Sequence, residues 1–167
     1  MEHVVLIGMM GAGKTTIGRI LSGLMSRNFI DVDSLIEKKA DMGIADIITE
    51  KGEGYFRKME KDTVLSLAPR ASSVISTGGG AVMDDEVFLF LKSIGRVVYL
   101  KASSDVLFKR TSNNDLRPLL RNGDRLSIIR ELLKKREGRY LEADMVIETD
   151  TDSPNEIAGR IIRELHV

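Results

Sequence analysis

Five short apolar runs rich in β-branched residues recur along the chain: HVVLI (3–7), FIDVD (29–33), SSVIST (72–77), RVVYLKA (96–102) and ADMVIET (143–149). Each is too short for a helix and reads as a strand buried on both faces. Between them lie TTIGRILSGLMS, SLIEKKA, a long segment over 52–67, DDEVFLFLKS, SSDVLFKRT, RLSIIRELLKKREGRYLE and SPNEIAGRIIREL, all with helical spacing of their apolar residues. Strand alternating with helix over a whole chain predicts an α/β fold: a parallel five-stranded sheet with helices on both faces, three layers in all. At 167 residues the chain is expected to form one domain, 1–167, since that length buries roughly two thirds of its unfolded surface without covalent staples.

Composition narrows the chemistry. There is no cysteine, which excludes a disulfide framework, a thiolate metal site and a cysteine nucleophile. The 25 basic and 25 acidic residues cancel, so no net field draws in nucleic acid or an anionic membrane, and any anion must be caught by a local cluster. The chain shows no signal-like amino terminus and no run of about 18 apolar residues, so a cytoplasmic address without a membrane partner is expected. His3 and His166 lie at the termini and carry no weight as catalysts.

The first strand breaks into GMMGAGKT, Gly8 to Thr15. Glycine, four residues, glycine, lysine and serine or threonine would coincide by chance in roughly one chain of this length in a hundred. Here the match also sits between a predicted strand and a predicted helix, the context its mechanism requires. The backbone N–H groups through Gly11, Ala12 and Gly13, and on into Lys14, Thr15 and Thr16 at the helix start, would converge on phosphate oxygens. Lys14 would meet the β and γ phosphates, and the Thr15 hydroxyl is placed for Mg²⁺. The spacing does not fit the dinucleotide fingerprint, so a nucleoside triphosphate is the expected ligand.

In FIDVD, extended geometry puts Asp31 and Asp33 on one side of the chain. Two carboxylates at a strand's carboxyl end repel unless a cation stands beside them, and Mg²⁺ and Lys14 would supply it. One carboxylate could then organise the metal while the other accepts a proton from an attacking hydroxyl. The alternative is that Asp33 caps a helix opening at Ser34 and Asp31 is a solvated strand end. Arg57 and Glu60 stand three apart, as a structural ion pair or as a guanidinium steadied for a ligand. STGGG (76–80) is a flexible turn or an anion cradle. It also occupies the place where many nucleotide-binding loops put an aspartate, which moves the metal duty toward Asp31. Arg136 and Arg139 form a solvated basic face or contribute to a site. SNNDLRPLLRNGD (112–124) has no steady period and reads as a lid or as a surface excursion.

In order and spacing, GMMGAGKTT, FIDVD, IADI with GEGYFRKME, STGGG, RPLL and KKREGRY resemble the shikimate kinase family, over about Val4 to Tyr140. The resemblance implies a nucleoside monophosphate kinase type of P-loop fold with a mobile lid over about 112–124. It implies phosphorylation of the 3-hydroxyl of shikimate by ATP with Mg²⁺, in aromatic amino-acid biosynthesis. Lys14 and Thr15 fall on the family's phosphate and metal positions and Asp31 on its metal-organising carboxylate. Asp33 falls on the residue that holds the substrate hydroxyls and serves as base. Arg57 and Arg136 fall on the substrate-carboxylate clamp, with Gly78, Gly79 and Gly80 lining the same pocket. Arg117 falls on the lid arginine, and Arg110 on a residue near the adenine. ATP and shikimate are the expected partners of a monomer. Independently, a polyhydroxy acid needs a bidentate arginine clamp and a base directed at one hydroxyl.

Three places depart from the family's pattern: Ile48 stands where an aromatic residue is common, Gly138 and Arg139 stand where a proline and an apolar residue are commoner, and ETDTDSPNE (148–156), expected to form the adenine-side loop, is acidic and gives no clear adenine contact. Another small-metabolite kinase such as a gluconate kinase would share the loop but not the two arginines with the triple glycine. A GTPase would need an Asn-Lys-x-Asp motif, which is absent. A binding module that has lost its chemistry would not keep Lys14, Thr15, Asp31 and Asp33 together.

Overall fold

The computed structural model describes residues 2–67, 71–112 and 124–165. Five parallel strands, β1 (His3–Ile7), β2 (Asn28–Asp31), β3 (Ser73–Ser76), β4 (Gly95–Lys101) and β5 (Met145–Glu148), run in the order β2-β3-β1-β4-β5. β1 is the centre: Val5 lies between Ile75 of β3 and Val97 of β4, and every residue of the strand is buried. The continuous apolar runs of β1, β3 and β4 thus have the cause expected for strands covered on both faces. β2 and β5 are the two edges, and most of their residues are partly or fully exposed. The expectation that all five strands are buried on both faces holds only for the inner three.

Among the described residues, eight α-helices flank the sheet: α1 (Lys14–Leu24), α2 (Val32–Ala40), α3 (Ile44–Lys51), α4 (Glu53–Leu65), α5 (Asp85–Ile94), α6 (Ser104–Thr111), α7 (Arg125–Tyr140) and α8 (Pro154–Glu164). The starts of the last four are written in short polar side chains. Asp84, Ser103 and Asp124 accept from backbone N–H groups of the first turns of α5, α6 and α7, and Ser153 forms a reciprocal box with Glu156 ahead of α8, with Pro154 at its first position. Among the described residues, no helix is long and apolar enough to cross a membrane.

Two expectations are corrected. The strand expected to run to Asp33 ends at Asp31, because the Asp31 carboxylate accepts from the N–H groups of Asp33 (3.1 Å) and Ser34 (3.5 Å) and so starts α2 two residues before Ser34. Asp31 and Asp33 therefore do not share one side of an extended chain, and the cap is Asp31. The segment before Gly52, for which no helix was expected, forms α3, and the chain turns at Gly52 into α4.

His3 supplies a buried link between strands: its Nδ1 accepts the Ser73 N–H at 3.0 Å. Burial, then nearby positive charge including Arg27, holds its pKa below the usual 6.5. A histidine lowered in the folded state binds fewer protons there than when unfolded, so its contribution is complete above pH 6.5 and is lost as pH falls below it. Replacing His3 with Asn, whose Oδ1 can accept the same bond, should flatten the fall in Tm between pH 7.5 and 5.5. Equal slopes in thermal melts of the two proteins would remove His3 as the cause.

Candidate active site

The chain leaves β1 toward β2 on one side, while β4 lies on the other, so the strand order reverses beside β1 and opens a crevice at the carboxyl ends of the strands. The loop from Gly8 curls there into α1. Gly13, at φ 94°, is the residue before the helix and has no side chain to cap it, which leaves the first N–H groups of α1 facing the crevice. Lys14 Nζ donates back to the carbonyls of Gly8 (2.8 Å) and Met9 (2.9 Å). The Thr15 hydroxyl donates to Asp31 Oδ2 at 2.9 Å, while Asp31 Oδ1 caps α2. One carboxylate thereby joins the end of β2, the start of α2 and the start of α1.

A cleft of about 450 Å³ follows this loop, lined by Gly11, Ala12, Gly13, Lys14, Thr15, Thr16 and Ile17, and across from them by Asp33, Ser76, Thr77, Gly79 and Arg110. Arg110 is fixed by bonds from its guanidinium to Thr149 Oγ1 (3.2 Å) and the Thr149 carbonyl (2.6 Å). Asp152, Pro154 and Ile157 complete the wall. Asp152 and Pro154 belong to the 148–156 segment expected on the adenine side, for which no contact could be named; Ile157 lies beyond it, and the sheet order brings all three beside the loop.

A second pocket of about 90 Å³ opens behind Asp33. One wall is apolar, Met10, Ile44, Ile48 and Phe56; the other carries Arg57, Glu60 and Arg136 over the backbone of Gly78, Gly79 and Gly80. Ile48 thus shapes this wall, and Met10 is a part of the nucleotide loop that reaches it. Arg57 donates to Glu60 Oε2 at 2.6 Å and to Glu53 at 3.4 Å, so the structural ion pair exists and the same guanidinium also faces the pocket. Burial works against its charge, but Glu60 and then Glu53 outweigh that and hold its pKa above the ordinary arginine value. Glu60 is 2% exposed. Burial, reinforced by Asp33, pushes its carboxyl above the usual range against the pull of Arg57 and Arg136, and its Oε1 has no hydrogen-bond partner among the described residues.

The two C-terminal arginines separate. Arg136 is 8% exposed and faces the pocket, with a nitrogen 4.0 Å from Met9 Sδ. Arg139 pairs with Asp85 and Glu142 and lies over the Phe88 ring. The basic-face reading fits Arg139 and fails for Arg136. Gly79 is wedged between the two halves of the site: a methyl group there would lie 3.2 Å from the Gly8 carbonyl oxygen and 3.4 Å from the Arg136 guanidinium. Tyr140, fully buried, donates to the Gly79 carbonyl at 2.5 Å, and burial pushes its phenol up to about 12. Arg117 and residues 113–123 of the expected lid lie outside the described residues.

The model of the family described as shikimate kinase matches residues 10–166. A shikimate kinase of Thermodesulfovibrio yellowstonii is 40% identical over 164 residues, covering 98% of this chain and 95% of that protein. Among solved structures, the shikimate kinase from Acinetobacter baumannii in complex with shikimate superposes with a TM-score of 0.96 at 37% identity, over 99% of this chain and 93% of that one. A gluconokinase from Sinorhizobium meliloti reaches a TM-score of 0.58 at 16% identity over 99% and 95% of the two chains, which is a likeness of fold alone. Identity at the former level, sustained from one end of the chain to the other, is kinship in sequence as well as in shape: the chain belongs to the shikimate kinase family.

Proposed function

We propose that this chain transfers the γ-phosphoryl group of ATP to the 3-hydroxyl of shikimate, giving shikimate 3-phosphate and ADP in aromatic amino-acid biosynthesis. The observation that carries the reading is the junction of the two cavities. Asp33 and Gly79 line both of them, so a phosphate on the glycine loop and a hydroxyl in the smaller pocket meet at one carboxylate. Arg57 and Arg136 offer two guanidinium groups to the acid's carboxylate, the planar bidentate recognition that lysine does not provide. The apolar wall suits the carbon ring.

Asp33 takes the proton of the attacking hydroxyl as that oxygen bonds to the γ phosphorus and the bridging bond to ADP breaks. Lys14 and the N–H groups of the loop hold the charge that passes to the leaving group. The Thr15 hydroxyl and Asp31, 2.9 Å apart beside the loop, fit Mg²⁺, which takes one or two protein oxygens and fills its shell with water and phosphate oxygens. Bound there, the ion would neutralise charge on the β and γ phosphates. One domain, 1–167, carries out the whole reaction as a monomer.

A gluconate kinase reading is not favoured, because the likeness to a gluconokinase stops at the fold, whereas the likeness to shikimate kinases runs through the sequence. ADP release measured with ATP and Mg²⁺ across shikimate, quinate, gluconate and nucleoside monophosphates should show strong preference for shikimate. Turnover of gluconate or a monophosphate at comparable kcat/KM would overturn the assignment.

A further inference from the structure

The triple-glycine segment has no side chains, so whatever fixes it must grip its backbone. Its carbonyls are all engaged. Gly78 accepts from the Ala81 N–H (3.2 Å) and Gly80 from the Met83 N–H (3.1 Å), both within the short turn that follows. The Gly79 carbonyl instead accepts from Tyr140, 61 residues away in sequence. Tyr140 is itself immobilised: it is fully buried, and its ring stacks on Tyr99 of β4 with centroids 4.9 Å apart and planes at 29°. It stands one helical turn after Arg136 on α7, a spacing that puts the two side chains on one face. The same helix face therefore delivers a guanidinium to the acceptor pocket and a hydroxyl to the strip of backbone lying against the nucleotide loop.

We infer that Tyr140 is a positioning residue for phosphoryl transfer, holding Gly79 and, through α7, Arg136 in one register so that the acid presents its hydroxyl to Asp33. Tyr140 touches neither substrate in this role. It sets where the floor of the acceptor pocket lies relative to the loop, and misplacement of a substrate by even about 1 Å is costly in rate. The inference rests on the pocket being the shikimate site.

Tyr140→Phe removes only the hydroxyl and keeps the stacked ring. Steady-state kinetics should show the KM for shikimate raised about tenfold and kcat lowered several-fold, with the KM for ATP within about twofold. Tyr99→Phe is the control, since the Tyr99 hydroxyl is buried with no hydrogen-bond partner among the described residues; its kinetics should match the parent protein. In a cycle with Arg136→Lys, positioning through a shared register predicts losses in shikimate KM that fall short of additive. Unchanged kinetics for Tyr140→Phe with a lowered Tm would reduce Tyr140 to a packing residue and overturn the inference, as would fully additive losses in the cycle. Absence of shikimate turnover by the parent protein would instead overturn the substrate assignment, and the two failures are distinct.

Discussion

Asp33→Asn should lower kcat by about a hundredfold or more while the KM for ATP stays nearly unchanged, as loss of a general base with retained geometry requires. The substitution is nearly isosteric and removes the ability to take a proton. It leaves the helix start intact, because α2 is capped by Asp31, which accepts the backbone N–H of residue 33 and not its side chain. Asp33 is the acidic residue in the first turn of α2, so neutralising it forfeits a favourable helix-dipole interaction of roughly 0.3–1 kcal/mol, a modest shift in Tm. Near-normal turnover in single-turnover experiments would remove Asp33 as base and leave the junction of the cavities without a proton acceptor.

Arg136→Ala is expected to act on the other half of the site. Removing a charge-assisted contact to the acid's carboxylate costs about 2 to 3 kcal/mol, a rise of roughly 30- to 150-fold in the KM for shikimate, with a much smaller change for ATP. Because Arg136 is nearly buried, the variant also leaves a cavity, so the KM ratio between the two substrates is the informative quantity and not the absolute activity. Its loss removes one of the two cations that oppose the upward push on Glu60, so that carboxyl should move further up. Arg57→Ala shares the direction but strips the buried Glu60 of its direct partner, and a larger stability loss should accompany it. Loss of ATP affinity with unchanged shikimate affinity in either variant would end the clamp assignment.

Much of this was legible in the sequence because it depends on local pattern. The glycine loop, the apolar strands and the helix caps need only neighbours along the chain to be interpreted. Arg57 and Arg136 were legible as a pair only through the family resemblance, since their convergence depends on α4 and α7 meeting at the pocket. FIDVD was misread in one respect: Asp31 and Asp33 alternating about Val32 look like a continuing strand, and only the bonds from the Asp31 carboxylate to the next N–H groups reveal that the helix has begun. The helix before Gly52 has no polar side chain at its start to announce it, since Gly43 precedes it. The 148–156 segment was expected on the adenine side but without a contact; that Asp152, Pro154 and, beyond it, Ile157 line the cleft follows from sheet order, a long-range property. Tyr140 was equally opaque, because a tyrosine at a helix end says nothing of which carbonyl it will meet.

Lys14 bears on what a measured ATP affinity would mean. Its ammonium already rests on the carbonyls of Gly8 and Met9, two oxygens of like partial charge that the loop's curl brings toward one point. The cation is thus a strut that relieves the mutual repulsion of these dipoles, and a triphosphate inherits a preassembled loop. The lysine's contribution to affinity is an exchange of neutral acceptors for anionic ones, with part of its dehydration and side-chain ordering completed in advance. A substitution at Lys14 is therefore a change to the shape of the loop as well as to its charge.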